Sequence, residues 1–128
     1  MGNGIFFLFF SRLHSIQEFL LGQKILIVED ETDIQELLRF NLMKAGFEIS
    51  CVDSGEDAIP EMRNYQPDLV LLDLMLPGIS GLEVCRQVRN DPHLAQTPII
   101  IVSARGEEHD IVTGLDMGAE DYIVKHSV

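Results

Sequence analysis

Residues 69–78 read Leu-Val-Leu-Leu-Asp-Leu-Met-Leu-Pro-Gly, four apolar residues that run into Asp73 and then into a proline-glycine turn signal. A strand with one wet face would alternate apolar and polar residues. This one does not, so both of its faces are covered, which is the pattern of a parallel strand between helical layers. Ile99-Ile-Ile-Val, ahead of Ser103, repeats the pattern, and Lys24-Ile-Leu-Ile-Val, ahead of Glu29 and Asp30, resembles it closely.

Between these runs the apolar period changes from continuous to helical. Ile34, Leu37, Leu38 and Leu42 follow the first strand and close at Gly46. The cycle then repeats. A strand spans Glu48 to Val52, a helix opens at Ser54 with Asp57 as its capping-box partner, and a strand runs from Asp68 to Leu72. Further on come a helix after Ser80, a strand from Pro98 to Val102, a helix from Glu107 to Met117 stopped by Gly118, and a strand around Tyr122 to Val124. Five strands joined by four crossovers define a doubly wound α/β fold. Pro60 falls inside the second helix, where an interior proline costs roughly 3 kcal/mol, and it predicts a kink or a late start.

The chain has 128 residues, enough for one domain, and its 46% hydrophobic and 23% charged residues are those of a folded globule. Its formal net charge of −12 argues against a groove for nucleic acid, which needs clustered Lys and Arg. Cys51 and Cys85 have no metal-ligand spacing and make no disulfide framework, in keeping with a reducing cytoplasm. The apolar run at residues 5–10 is broken by Ser11, Arg12 and His14 long before the roughly 20 residues of a membrane span. No secretory signal is read there either, and residues 1–23 are taken as an extension ahead of a domain at 24–128.

In an open parallel sheet the ligand crevice lies beyond the carboxyl ends of the strands. Those ends carry Glu29 and Asp30, then Asp73, then Ser103, then Lys125. Each has a bland reading when taken singly. Asp30 could cap the next helix, Ser103 a turn, Lys125 could be a solvated charge and Tyr122 an edge aromatic. Their coincidence at strand ends is the argument for a site. Two carboxylates at 4 Å repel by about 4 kcal/mol at an effective dielectric of 20, so converging acids call for positive charge. Mg²⁺ suits oxygen ligands of this kind, and Lys125 supplies a second cation. A carboxylate can also accept a phosphoryl group, with Ser103 as a hydroxyl partner for its oxygens.

Over Lys24 to Lys125 the chain resembles the receiver domains of two-component response regulators. The resemblance rests on Ile27-Val-Glu-Asp-Glu, Leu71-Leu-Asp-Leu-Met-Leu-Pro-Gly-Ile-Ser-Gly, Val102-Ser-Ala-Arg and Gly118-Ala-Glu-Asp-Tyr-Ile-Val-Lys. The stretches at 104–108 and 118–122 look most like the OmpR/PhoB-type subfamily of transcription regulators. What the resemblance implies is a flavodoxin-like sheet of order 2-1-3-4-5 and a phosphoacceptor, not an enzyme. Asp73 would take its phosphoryl group from a sensor histidine kinase. Mg²⁺ would be held by Asp30, Asp73 and the backbone carbonyl of Met75, with Glu29 acting through water. Ser103 and Lys125 would bind phosphoryl oxygens, and Tyr122 would be the switch that follows Ser103 inward.

The chain departs from the family pattern in three places. His126 stands where proline usually follows the lysine, so a trans peptide is expected there. Only Ser127 and Val128 come after it, so the chain reads as a receiver truncated before its final helix, with no DNA-binding domain. Ile111 and Thr113 stand where the family's dimer face carries basic residues. Two other readings stay open: a decayed receiver that serves as an interaction module, and a phosphohydrolase with Asp73 as nucleophile, although Met75 replaces the second acid such enzymes use. In the extension, Phe6, Phe9, Leu13, Ile16 and Leu20 recur at three- and four-residue steps, a helical stripe suited to covering the sheet face that a missing last helix would leave open. An uncovered face would favour self-association.

Overall fold

The computed structural model describes residues 23–104 and 106–125, and within them each continuous apolar run is a strand of one sheet. The elements are β1 (Lys24–Val28), α1 (Thr32–Lys44), β2 (Glu48–Val52), α2 (Gly55–Tyr65), β3 (Leu69–Leu72), α3 (Gly81–Arg89), β4 (Ile99–Ser103), α4 (Glu108–Asp116) and β5 (Asp121–Val124). All pairings are parallel and the order is β2-β1-β3-β4-β5. Val28 sits in register with both Val52 and Leu72, Leu72 with Ile101, and Ser103 with Val124. Residues that leave these positions therefore emerge at one edge.

Side chains alternate across a strand, so the sheet sorts its apolar residues into two cores. Leu26, Val28, Val70, Leu72, Ile99, Ile101 and Tyr122 face α2, α3 and α4, where Ala58, Met62, Val84 and Val88 meet them. Ile25, Ile27, Leu69, Leu71, Ile100, Val102 and Ile123 face the other way, towards the side on which α1 contributes Leu38 and Leu42. Full burial of such side chains is worth about 1.5–3 kcal/mol each, which is why the uninterrupted runs become the centre of the domain.

The helix ends follow their local chemistry. Ser54 and Ser80 accept hydrogen bonds from the amides of Asp57 and Glu83, each at 3.2 Å, and so open α2 and α3. Gly46 and Gly118, with φ of 103° and 101°, turn the chain out of α1 and α4 in a conformation that other residues rarely adopt. The late start predicted from Pro60 does not occur, since α2 begins at Gly55 and runs through it. Pro60 and Glu56 are both exposed, so the carbonyl that the proline leaves without a partner faces water.

Arg89, at the end of α3, fastens the opposite edge of the sheet. Its guanidinium donates to the carbonyls of Ala95 (2.9 Å), Thr97 (2.8 Å) and Gly118 (2.6 and 3.1 Å), joining the approaches to β4 and β5. Among the described residues no helix is long and apolar enough to cross a membrane. The helical stripe of residues 6–20 and the peptide that follows Lys125 lie outside the described residues.

Candidate functional site

The strand register brings Glu29, Asp30, Asp73 and Lys125 together at the carboxyl edge. Each of the three acids offers a carboxylate oxygen, and these oxygens all lie within 4.8 Å of one another. Lys125 donates from Nζ to Glu29 Oε1 at 2.9 Å and to Asp73 Oδ2 at 3.3 Å. Glu29 and Asp73 are 2% and 4% exposed, whereas Asp30 stands in solvent. The solvated reading of Lys125 is thereby excluded, since its side chain is only 10% exposed. Asp30 is not a cap either, because the residue in the N-cap position of α1 is Glu31.

Three carboxylates face one ammonium in this cluster, which leaves an excess of two negative charges when all are ionised. A hard divalent cation matches both that charge and an all-oxygen donor set. Burial, the largest influence on Glu29, pushes its carboxyl from the ordinary 4.5 up to about 7. The charge of Asp73 adds to this rise, while Lys125 and the amide of Glu31 pull it back. Burial lowers Lys125, but its hydrogen bond and charge contact with Glu29, reinforced by Asp73, more than offset that and hold the ammonium above its ordinary value.

Backbone donors fix the acids in place. The Met75 amide donates to Asp73 Oδ1 at 3.1 Å, and the Glu31 amide to Glu29 Oε2 at 3.1 Å. Met75 itself projects into solvent, 58% exposed, so the site uses its backbone and not its side chain. Ser103 is fully buried, and its carbonyl accepts from the Lys125 amide at 2.7 Å, which ties the ends of β4 and β5 together. Tyr122 stands on the edge strand β5 but is no ordinary edge aromatic. It is 4% exposed and lies under α4, where a Cβ on Gly114 would come within 3.0 Å of its ring.

Other positioning residues had no visible signal in the sequence. Gln35 donates from Nε2 to the carbonyls of Glu29 (2.9 Å) and Val52 (3.3 Å), bracing the ends of β1 and β2. Glu56 accepts from the Ile79 amide at 3.3 Å and lies against Gly78, whose φ of 72° turns the loop after Asp73. Gly81 is pressed so closely on this loop that a Cβ there would stand 2.3 Å from the Asp73 carbonyl oxygen.

Residues 25–127 match the response regulator receiver domain family. The phosphate regulon transcriptional regulatory protein PhoB of Rhizobium meliloti (strain 1021) is 48% identical over 102 residues, 80% of this chain and 45% of that protein. The chain thus spans less than half the length of this relative. Among solved structures, the BeF3-activated N-terminal receiver domain of Klebsiella pneumoniae RstA has a TM-score of 0.76 at 34% identity, over 82% of this chain and 87% of that one. The Mn²⁺-bound form of the response regulator Rcp1 has a TM-score of 0.76 at 25% identity, over 83% of each chain.

Proposed function

We propose a chemistry for this site from one premise: the chain belongs to the response regulator receiver domain family and is a phosphorylated component of two-component signalling. Asp73 is the phosphoacceptor in this reading. One of its carboxylate oxygens attacks the phosphorus of a phosphohistidine on a sensor histidine kinase, the phosphorus–nitrogen bond breaks, and an acyl phosphate forms on the aspartate. The observation that carries the reading is the delivery of Asp73 by a central strand to a point where a buried lysine and two further acids converge.

The remaining residues have separate tasks. Met75 and Lys125 orient the Asp73 carboxylate before transfer. Lys125 then moves its hydrogen bond to a phosphoryl oxygen, Ser103 donates to another, and Tyr122 reports the change to the face formed by α4 and β5. Asp30, Asp73 and the Met75 carbonyl, with Glu29 through water, are the groups that would hold Mg²⁺, and the ion would neutralise the phosphoryl oxygens. The all-oxygen donor set and its excess negative charge support Mg²⁺, as does the Mn²⁺-bound relative.

The domain at 24–128 is in this reading a phosphoacceptor and not a turnover enzyme, it works in the cytoplasm, and it binds no nucleic acid itself. A route to transcription is suggested by the named role of PhoB. Phosphohydrolase chemistry is set aside, because position 75 supplies only its backbone. Incubation with acetyl phosphate and Mg²⁺ tests the assignment. The expected result is one phosphoryl group per chain and none in Asp73→Asn. Labelling that survives in Asp73→Asn would overturn the acceptor assignment, and absence of labelling in the unaltered chain would favour a decayed receiver.

A further inference from the structure

Residues 75–80 join β3 to α3, and none of them is buried. Leu76 and Ile79 are half-buried and the other four stand in solvent, so apolar packing holds this segment only loosely. Its first residue nevertheless has to place the amide that holds Asp73. Two hydrogen bonds close the segment on itself, from the Met75 amide to Asp73 Oδ1 and from the Gly81 amide to the Leu74 carbonyl, each at 3.1 Å. Among the described residues, the one hydrogen bond that reaches it from another element is made by Glu56, whose carboxylate accepts from the Ile79 amide at 3.3 Å. Glu56 lies in the first turn of α2. A Cβ on Gly78 would overlap both of its carboxylate oxygens, so the acid is seated over that residue. The backbone of α2 meets the same turn, since a Cβ on Gly55 would stand 2.6 Å from Ile79 Cγ1 and 2.7 Å from the Ile79 carbonyl oxygen.

We propose that Glu56 is a positioning residue for phosphoryl transfer, which holds the segment after Asp73 against α2 and so keeps the Met75 backbone in place. The inference rests on the reading of Asp73 as phosphoacceptor. Between Ile79 and Met75 the most permissive joint is Gly78, with φ of 72°, whereas Pro77 beside it has its φ fixed by the ring. A tie at Ile79 stops that joint from turning, and the stiff proline passes the restraint back towards Met75. Charge is not the advantage of an acid here. A further carboxylate at the carboxyl edge repels an anionic phosphoryl donor, so its use lies in accepting the hydrogen bond. The two effects have opposite signs, and substitution separates them.

Glu56→Ala removes both the charge and the acceptor, whereas Glu56→Gln removes the charge and keeps an oxygen that can accept from Ile79. With acetyl phosphate at saturating Mg²⁺, Glu56→Ala should be labelled about five- to tenfold more slowly than the unaltered chain, and Glu56→Gln at least as fast. Both variants lose the same charge from the first turn of α2, so the helix dipole does not account for a difference between them. Amide hydrogen exchange without Mg²⁺ or acetyl phosphate gives a second readout that does not involve the chemistry of Asp73. The Ile79 amide should exchange about tenfold faster in Glu56→Ala and at its original rate in Glu56→Gln. Equal labelling rates in all three proteins, or equal slowing in the two variants, would overturn the proposal. Absence of label in the unaltered chain would overturn the acceptor reading and the role in transfer with it, whereas unchanged Ile79 exchange in Glu56→Ala would overturn the tie itself.

Discussion

Lys125 is bound more closely to Glu29, at 2.9 Å, than to Asp73, at 3.3 Å. The lysine therefore ties the first strand to the fifth across the sheet while it orients Asp73. Its removal leaves two buried carboxylates without their cation. Loss of one partner from a buried charge cluster typically costs about 3–5 kcal/mol. Lys125→Ala should therefore destabilise the fold by about 3 kcal/mol at pH 8 and by clearly less at pH 6, where Glu29 takes up a proton. Urea denaturation at the two pH values checks this; an equal loss at both would separate the lysine from Glu29.

Glu29 makes both stability and cation binding depend on pH. Its folded value of about 7 lies above the ordinary 4.5, so the folded chain holds more protons than the unfolded one between those values. The stability linked to this group is fully present below about pH 4.5 and is lost as pH rises through 7, about 3 kcal/mol in all. Cation binding has the opposite slope, because the incoming ion must displace the proton. Mg²⁺ affinity should rise from pH 5 to 7 and level off above. Calorimetry in buffers of differing ionisation enthalpy should show nearly one proton released per ion at pH 6, and a smaller release in Glu29→Gln.

Gly81 should tolerate no side chain. The atoms that a Cβ would strike, the Asp73 carbonyl oxygen at 2.3 Å and the Leu74 Cα at 2.8 Å, are backbone and cannot rotate away. Gly81→Ala is expected to cost about 2–3 kcal/mol and, on the proposed function, to slow labelling by acetyl phosphate, because relief of the clash moves Asp73. Denaturation and labelling kinetics on one preparation would measure both effects.

Arg89 should matter for stability and not for phosphoryl chemistry. Its carbonyl partners lie at the edge of the sheet remote from Asp73. Arg89→Met should cost about 2–3 kcal/mol, through lost charge-assisted hydrogen bonds, and leave the labelling stoichiometry of the folded chain unchanged.

The fold was legible because its signals are local. Runs such as Ile99-Ile-Ile-Val, caps at Ser54 and Ser80, and stops at Gly46 and Gly118 each declare an element within a few residues. Most of the candidate site was legible for a related reason: a polar residue directly after a buried run has only one place to go. Pro60 misled because sequence alone did not show that its turn of α2 faces water. Gln35, Gly81 and Arg89 were missed because each acts on backbone atoms of another segment. Gln35 bonds the carbonyl of Val52, and Arg89 that of Gly118, separations of 17 and 29 residues that leave no pattern in the intervening chain.

The bond from Lys125 to Glu29 joins residues 96 positions apart, the widest separation among the contacts of the site. It exists only once β1, β3, β4 and β5 have all paired, and parallel pairings between distant segments are slow to form. The site is therefore among the last features to assemble as the chain folds, and a partly folded chain has the acids without the arrangement. A cation that recognises the arrangement binds the finished fold and not its precursors, so it selects completed molecules by mass action. The geometry proposed to receive the signal would thus also mark the folded domain as finished.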